Sequence, residues 1–206
     1  MGPDLRLALE LADAADAISM RSFRTLLAVE TKADLTPVTE ADRAVESELR
    51  RLLADARPDD AVLGEEQGTT EGRNRRRWII DPIDGTRNFT RGIPVWGTLI
   101  ALEEDEEVRV GVASAPALMR RWWAERGGGA FANGDRVQVS QVERIEEAVL
   151  SFGFERQLPA FAARAWHVRG FGDLWAHMLV AEGAVDAAVD ELGVSEWDLA
   201  AAQVIL

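Results

Sequence analysis

From Trp78 onward the chain carries apolar-rich runs that have the length of strands. "WIID", "WGTLIAL" and "VRVGVASAP" are such runs, and the acidic stretch "EEDEE" between the last two predicts a solvated hairpin tip. "RRWWAERGGGAFANGDRVQVS" continues the pattern through a glycine-rich bend, and its Asn133-Gly134 is a strong two-residue hairpin signal. Strands joined this closely pair with their neighbours, so the middle of the chain is expected to be a largely antiparallel sheet.

Helices flank it. Leu5, Leu9, Ala12, Ala15 and Ile18 recur at helical spacing, and so do Val45, Leu49, Leu52 and Ala56, in a segment that Pro58 stops. Between them, "TKADLTPVTEAD" reads as a connection. "DAVLGEE" has the form of a short buried strand ending at Gly64, followed by the polar stretch "EQGTTEGRNRRR". From "EEAVLSFGF" the order becomes strand, helix "DLWAHMLVAEG", strand "AVDAAVD" and helix "SEWDLAAAQ". The expected class is α/β with layered α+β character, organised as an N-terminal lobe over 1–139 and a smaller C-terminal α/β lobe over 140–206.

A chain of 206 residues with 47% hydrophobic content can bury one sizeable core or two lobes that share one. Acidic residues outnumber basic ones by 36 to 23, for a net charge of -13, so neither nucleic acid nor an anionic membrane is an expected partner. An anionic substrate would need local cations. With no cysteine, disulfides and thiolate metal sites are excluded, and carboxylates are the natural ligands for a hard cation such as magnesium. The amino terminus reads as neither a signal peptide nor a membrane span, and a cytoplasmic location is expected.

Four carboxylates share a context. Glu65 follows a strand, Asp81 ends one, Asp84 sits in the next turn and Asp198 opens a helix; strand ends and helix starts are where open α/β sheets gather ligands. Pro82 is expected to stop the ladder and bend the chain, so that Asp81 and Asp84 converge to bind a divalent cation or share a proton. Gly85-Thr86 would offer backbone N–H groups to a phosphate. Plainer readings stand beside these. "TEAD" and "SEWD" fit capping boxes in which Asp42 and Asp198 serve their own helices, "DPIDG" fits a turn, and Glu65-Glu66 fits a solvated pair.

Taken together, "GEE", "WIIDPIDGTRNF" and "WDLAA", in this order and at these separations, resemble the signature of the inositol monophosphatase family of magnesium-dependent phosphatases. "VTEAD", "GGGAFANG" and "AEGAVDAAVD" extend the resemblance over nearly the whole chain. "GTRNFTRGIPVWGTLIAL" and "RGFGDLWAHMLVAEGAVD" are most similar to its bacterial histidinol-phosphate phosphatase branch. The resemblance implies an alternating α-β-α-β-α sandwich and two or three Mg2+ ions, with Mn2+ as a substitute. Glu65, Asp81 and the carbonyl of Ile83 would hold one ion, and Asp81, Asp84 and Asp198 a second. Asp42 and Thr86, with Glu65, would be catalytic through an attacking water, and the amides of Gly85 and Thr86 would take phosphate oxygens.

The family continues beyond the "WDLAA" helix, so a shortened second lobe is expected, with Asp198 on its last helix. The expected reaction is hydrolysis of a small phosphate ester, L-histidinol phosphate first and inositol 1-phosphate as the alternative, by a chain that would form a homodimer. A catalytically inactive relative that acts as a binding or assembly subunit is the alternative of another class. Arg169, Asp173 and Glu191 are the candidates for choosing the alcohol, Asp173 by pairing with an ammonium or else as a helix N-cap. His177 shares a helical stripe with Leu174, Met178 and Ala181 and is expected to be packed in the core. Trp122, Trp123, Trp166, Trp175 and Trp197 are expected as core or subunit contacts.

Overall fold

The two helical stripes form long helices that lie together on one face of a sheet. A computed structural model describes residues 1–25, 29–31, 37–153, 159–190 and 194–206. Helix α1 spans Pro3–Ser22, with Pro3 in its first turn where a missing N–H costs nothing. Strands β1 (Val29–Thr31) and β2 (Pro37–Thr39) pair as an antiparallel ribbon where only a connection was expected. Helix α2 (Glu40–Ala56) follows, and the helix C-cap Arg57 precedes Pro58. Its buried face is Ala41, Asp42, Val45, Glu46, Leu49 and Leu53, whereas the expected Leu52 lies at the margin and Ala56 is exposed.

Strand β3 (Ala61–Gly64) ends where the sequence predicts, and β4 (Gly68–Thr70) folds back on it. Then come β5 (Arg76–Asp84), the short helix α3 (Thr86–Thr90), β6 (Gly97–Glu104), β7 (Glu107–Ala115), β8 (Arg120–Glu125), β9 (Gly129–Ala132) and β10 (Asp135–Val137). They make one eight-stranded sheet of order β10-β9-β8-β7-β6-β5-β3-β4, antiparallel except at β3–β5. Both expected hairpin tips are present. Asn133 and Gly134, with φ of 49° and 99°, join β9 to β10, and exposed Asp105 and Glu106, at 52° and 64°, join β6 to β7.

Strand β11 (Val149–Phe152), β12 (His167–Arg169), helix α4 (Asp173–Ala181), β13 (Ala187–Val189) and helix α5 (Glu196–Ile205) complete the chain. The last three strands form a parallel sheet of order β12-β11-β13. The layers run from α1 and α2 through the large sheet to α4 and α5, and then to the small sheet. Beyond that sheet, a 3-10 turn at Ala160–Arg164 packs Ala162 against Leu150 and Phe152.

Alternation along β5 explains how both faces are covered. Trp78 and Ile80 join Leu11, Ala15, Val45 and Leu49 under the first helix pair, while Ile79 faces Leu174, Met178, Ala201 and Ile205 of the second. Helix α5 lies close on the sheet because its face is alanine and β7 offers Gly111. A Cβ on Gly111 would lie 2.4 Å from the Ala201 carbonyl oxygen. The tryptophans divide. Trp122 is buried, Trp123, Trp175 and Trp197 pack at core margins, and Trp166, 70% exposed, is not in the core.

Candidate functional site

Asp81 and Asp84 are three residues apart, and in a regular strand such residues point to opposite faces. They converge because β5 does not end at Asp81. It runs on through Pro82 to Asp84 with a bulge, Asp81 opposite Leu99 and Asp84 opposite Gly97, so three steps on β5 match two on β6. The extra residue reverses the parity. Pro82 therefore sits inside the bulged strand, contrary to the expected stop, and its carbonyl accepts a bond from Thr98 Oγ1 at 2.8 Å.

Asp81, like Ile79, faces the α5 side, where Asp198 stands in the first turn of that helix. Carboxylate oxygens of Asp81, Asp84 and Asp198 all lie within 4.8 Å of one another. With Glu65, Ile83, Gly85, Thr86, Arg87 and Asp173 they line a pocket of about 220 Å³. Glu65 directly follows β3, its amide donating to the Ile80 carbonyl at 3.2 Å, so the parallel β3–β5 pair sets it beside Asp81. Buried Glu46 on α2 fixes the turn that carries it, accepting from the Glu66 and Gln67 amides at 2.7 and 3.0 Å and from Arg50 Nε at 2.8 Å. Glu46 was not singled out from the sequence, although a carboxylate on an apolar helix stripe is a readable anomaly.

Both expected capping boxes are present. Asp42 Oδ2 accepts from the Thr39 amide at 2.9 Å and from Thr39 Oγ1 at 2.5 Å, while Oδ1 lies 3.5 Å from Thr86 Oγ1. That hydroxyl also reaches the Ile83 carbonyl at 3.0 Å. Asp198 Oδ2 likewise accepts from the Ser195 amide at 2.5 Å. Asp84 Oδ2 accepts from the Leu174 amide at 2.6 Å, which ties the start of α4 to the bulge. Gly85, at φ +78°, turns the chain from β5 into α3.

The cluster is short of positive charge. Burial, and then the charges of Glu65, Asp84 and Asp198, push the Asp81 carboxyl well above its ordinary range. Burial and the Asp173 charge do the same to Asp84 against the pull of the Leu174 amide, and burial raises Asp198 and Asp42. Asp81 Oδ1 is buried without a hydrogen-bond partner. An all-oxygen donor set crowded in this way fits a hard divalent cation.

Asp173 is the first residue of α4, not the cap before it, and holds a left-handed φ of +53°. Loss of hydration and the Asp190 charge raise its carboxyl, and Arg87 and His177 pull it back, although the residue as a whole is exposed. His177 is largely packed, as expected, with its side chain 12% exposed. Its Nε2 lies 2.6 Å from Asp190 Oδ2 at the end of β13, a partner not anticipated from the sequence. Arg169 lies outside this pocket, in a separate groove with Trp166, His167 and Phe171. Glu191 falls outside the described residues.

Among the described residues, no helix is long and apolar enough to cross a membrane. The histidinol-phosphatase of Mycobacterium tuberculosis is 51% identical over 98% of this chain and 84% of its own length, and that of Streptomyces coelicolor is 49% identical over 98% and 83%. The crystal structure of extragenic suppressor protein suhB from Bartonella henselae superposes with a TM-score of 0.91 at 31% identity, over 99% of this chain and 84% of that one. The family model described as "Inositol monophosphatase family" matches residues 3–206. Bulged strand, paired carboxylates and capped aspartates thus stand in a chain that belongs to the inositol monophosphatase family of metal-dependent phosphatases.

Proposed function

We propose that the chain hydrolyses L-histidinol phosphate to L-histidinol and phosphate with Mg2+ as its resident cation, Mn2+ being able to replace it. The observation that carries the substrate choice is Asp173, a carboxylate at the pocket rim that is not part of the metal-ligand set. The ammonium of histidinol would pair with it, whereas inositol has no charge to compensate its desolvation. The histidinol-phosphatases at 51% and 49% identity support the same choice.

Glu65, Asp81 and the Ile83 carbonyl would hold one cation, and Asp81, Asp84 and Asp198 a second. When bound, two divalent cations balance four carboxylates, polarise the phosphoryl oxygens and make water nucleophilic at neutral pH. The chain's own groups do the rest. Thr86 Oγ1 faces Asp42 Oδ1, so Thr86 can accept from an attacking water while donating to the carboxylate. Asp42 is held by its Thr39 bonds, and the burial that raises its carboxyl makes it a better proton acceptor. The Gly85 and Thr86 amides would take phosphoryl oxygens.

The test is phosphate release from L-histidinol phosphate and from myo-inositol 1-phosphate, side by side, with Mg2+ and with a chelator. The expected outcome is chelator-sensitive release with strong preference for histidinol phosphate. Equal rates on both esters would overturn the role of Asp173, and release that survives the chelator would overturn the metal ligands.

A further inference from the structure

Arg87 is the one cationic side chain among the residues lining the pocket. It directly follows Thr86 on α3, whose base is rigid. Phe89 is buried against Trp96, with ring centroids 4.8 Å apart, and Asn88 Nδ2 donates to the Val95 carbonyl at 2.7 Å. The Arg87 side chain itself is exposed and makes no hydrogen bond or ion pair among the described residues. Asp173 lines the same pocket, and the Arg87 charge favours its ionised form.

We propose that the substrate engages Arg87 and Asp173, opposite charges that line one pocket, at the same time. The phosphoryl group takes the Arg87 guanidinium and a neighbouring ammonium takes Asp173, which selects phosphate esters of amino alcohols. The inference rests on the phosphatase reading above and deepens it. Five carboxylates line the pocket, Glu65, Asp81, Asp84, Asp173 and Asp198. Two divalent cations would balance all but Asp173, and Arg87 balances that one. A substrate with a phosphate and an ammonium side by side gives each of the two a counter-charge. An ester of an uncharged alcohol occupies Arg87 alone and leaves Asp173 without a counter-charge. Arginine suits this position because its planar fork binds phosphate through paired charge-assisted hydrogen bonds.

The experiment compares wild type, Arg87→Gln and Asp173→Asn in saturating Mg2+. It reads the Kd of inorganic phosphate by calorimetry and the KM for L-histidinol phosphate and for glycerol 2-phosphate. Both residues are exposed as a whole, and asparagine tolerates the left-handed φ of residue 173, so the fold is expected to persist. Arg87→Gln should weaken phosphate about tenfold. Asp173→Asn should tighten phosphate severalfold by removing a negative charge from the pocket lining. It should also raise KM for histidinol phosphate while lowering it for glycerol 2-phosphate. A phosphate Kd indifferent to Arg87→Gln, or an Asp173→Asn variant that keeps the wild-type KM ratio of histidinol phosphate to glycerol 2-phosphate, overturns the joint engagement. A wild type that hydrolyses histidinol phosphate no better than glycerol 2-phosphate overturns instead the substrate reading beneath it.

Discussion

Asp84 shows how one residue can be tied into a fold and still strain it. It accepts the Leu174 amide, which fixes α4, yet it is buried among Asp173, Asp198 and Glu65. Its folded carboxyl is raised above the ordinary 3.8, first by burial and then by those charges. A carboxyl shifted upward contributes stability that is present below its unfolded value and is lost as pH climbs through the folded one. Metal-free protein should therefore lose stability from this group as pH rises above about 4. Asp84→Asn keeps an acceptor for Leu174 and removes the charge. In a chelator at pH 7–8 the variant should melt higher than wild type and with a shallower pH slope, each kcal/mol gained appearing as about 2–4 °C at this chain length. Its phosphatase activity in Mg2+ should fall by more than about a hundredfold. Identical melting curves for the two proteins at every pH would show that the repulsion is absent.

At the scale of elements, Asp198 reaches the site because α5 lies unusually near the sheet. The Ala200, Ala201, Ala202 face and Gly111 of β7 permit that approach. Gly111→Val should force the helix outward, costing about 1–3 kcal/mol by overpacking and weakening Mg2+ binding because Asp198 moves with its helix. Thermal melts and metal titration check the two effects, and a melt loss with unchanged Mg2+ affinity would show that α5 does not set the ligand position. Periodicity made α1, α2, α4 and α5 legible, and turn chemistry made both hairpins legible, since these are properties of neighbouring residues. The bulge in β5 was not legible, because it is set by the pairing of Asp81 with Leu99 and Asp84 with Gly97 on another strand. The three-residue strands β4 and β12 were missed for the same reason, as they exist through their partners β3 and β11 rather than through their own residues. Asp190 illustrates the limit for the site. Its acidic position after a strand was visible, but its pairing with His177 depends on how α4 lies against the small sheet.

The molecule as a whole carries a net charge of -13, while the proposed substrate carries a phosphate dianion. Two fields act on an approaching ester. The global one repels it, and the pocket, once the four carboxylates proposed as ligands are matched by cations, would be close to neutral apart from Arg87 and Asp173. Which one governs encounter can be read from salt. The Debye length shrinks from about 30 Å at 0.01 M to about 8 Å at 0.15 M, so added KCl screens the distant surface acids before it screens contacts inside the pocket. With Mg2+ saturating, kcat/KM should therefore rise as KCl is raised over that range, and more for glycerol 2-phosphate, which lacks the ammonium that offsets part of the phosphate charge. An electrostatically steered enzyme shows the opposite slope. A fall in kcat/KM with salt would mean that the cation-loaded pocket and Arg87 project beyond the acidic surface, and that the substrate is drawn in rather than tolerated.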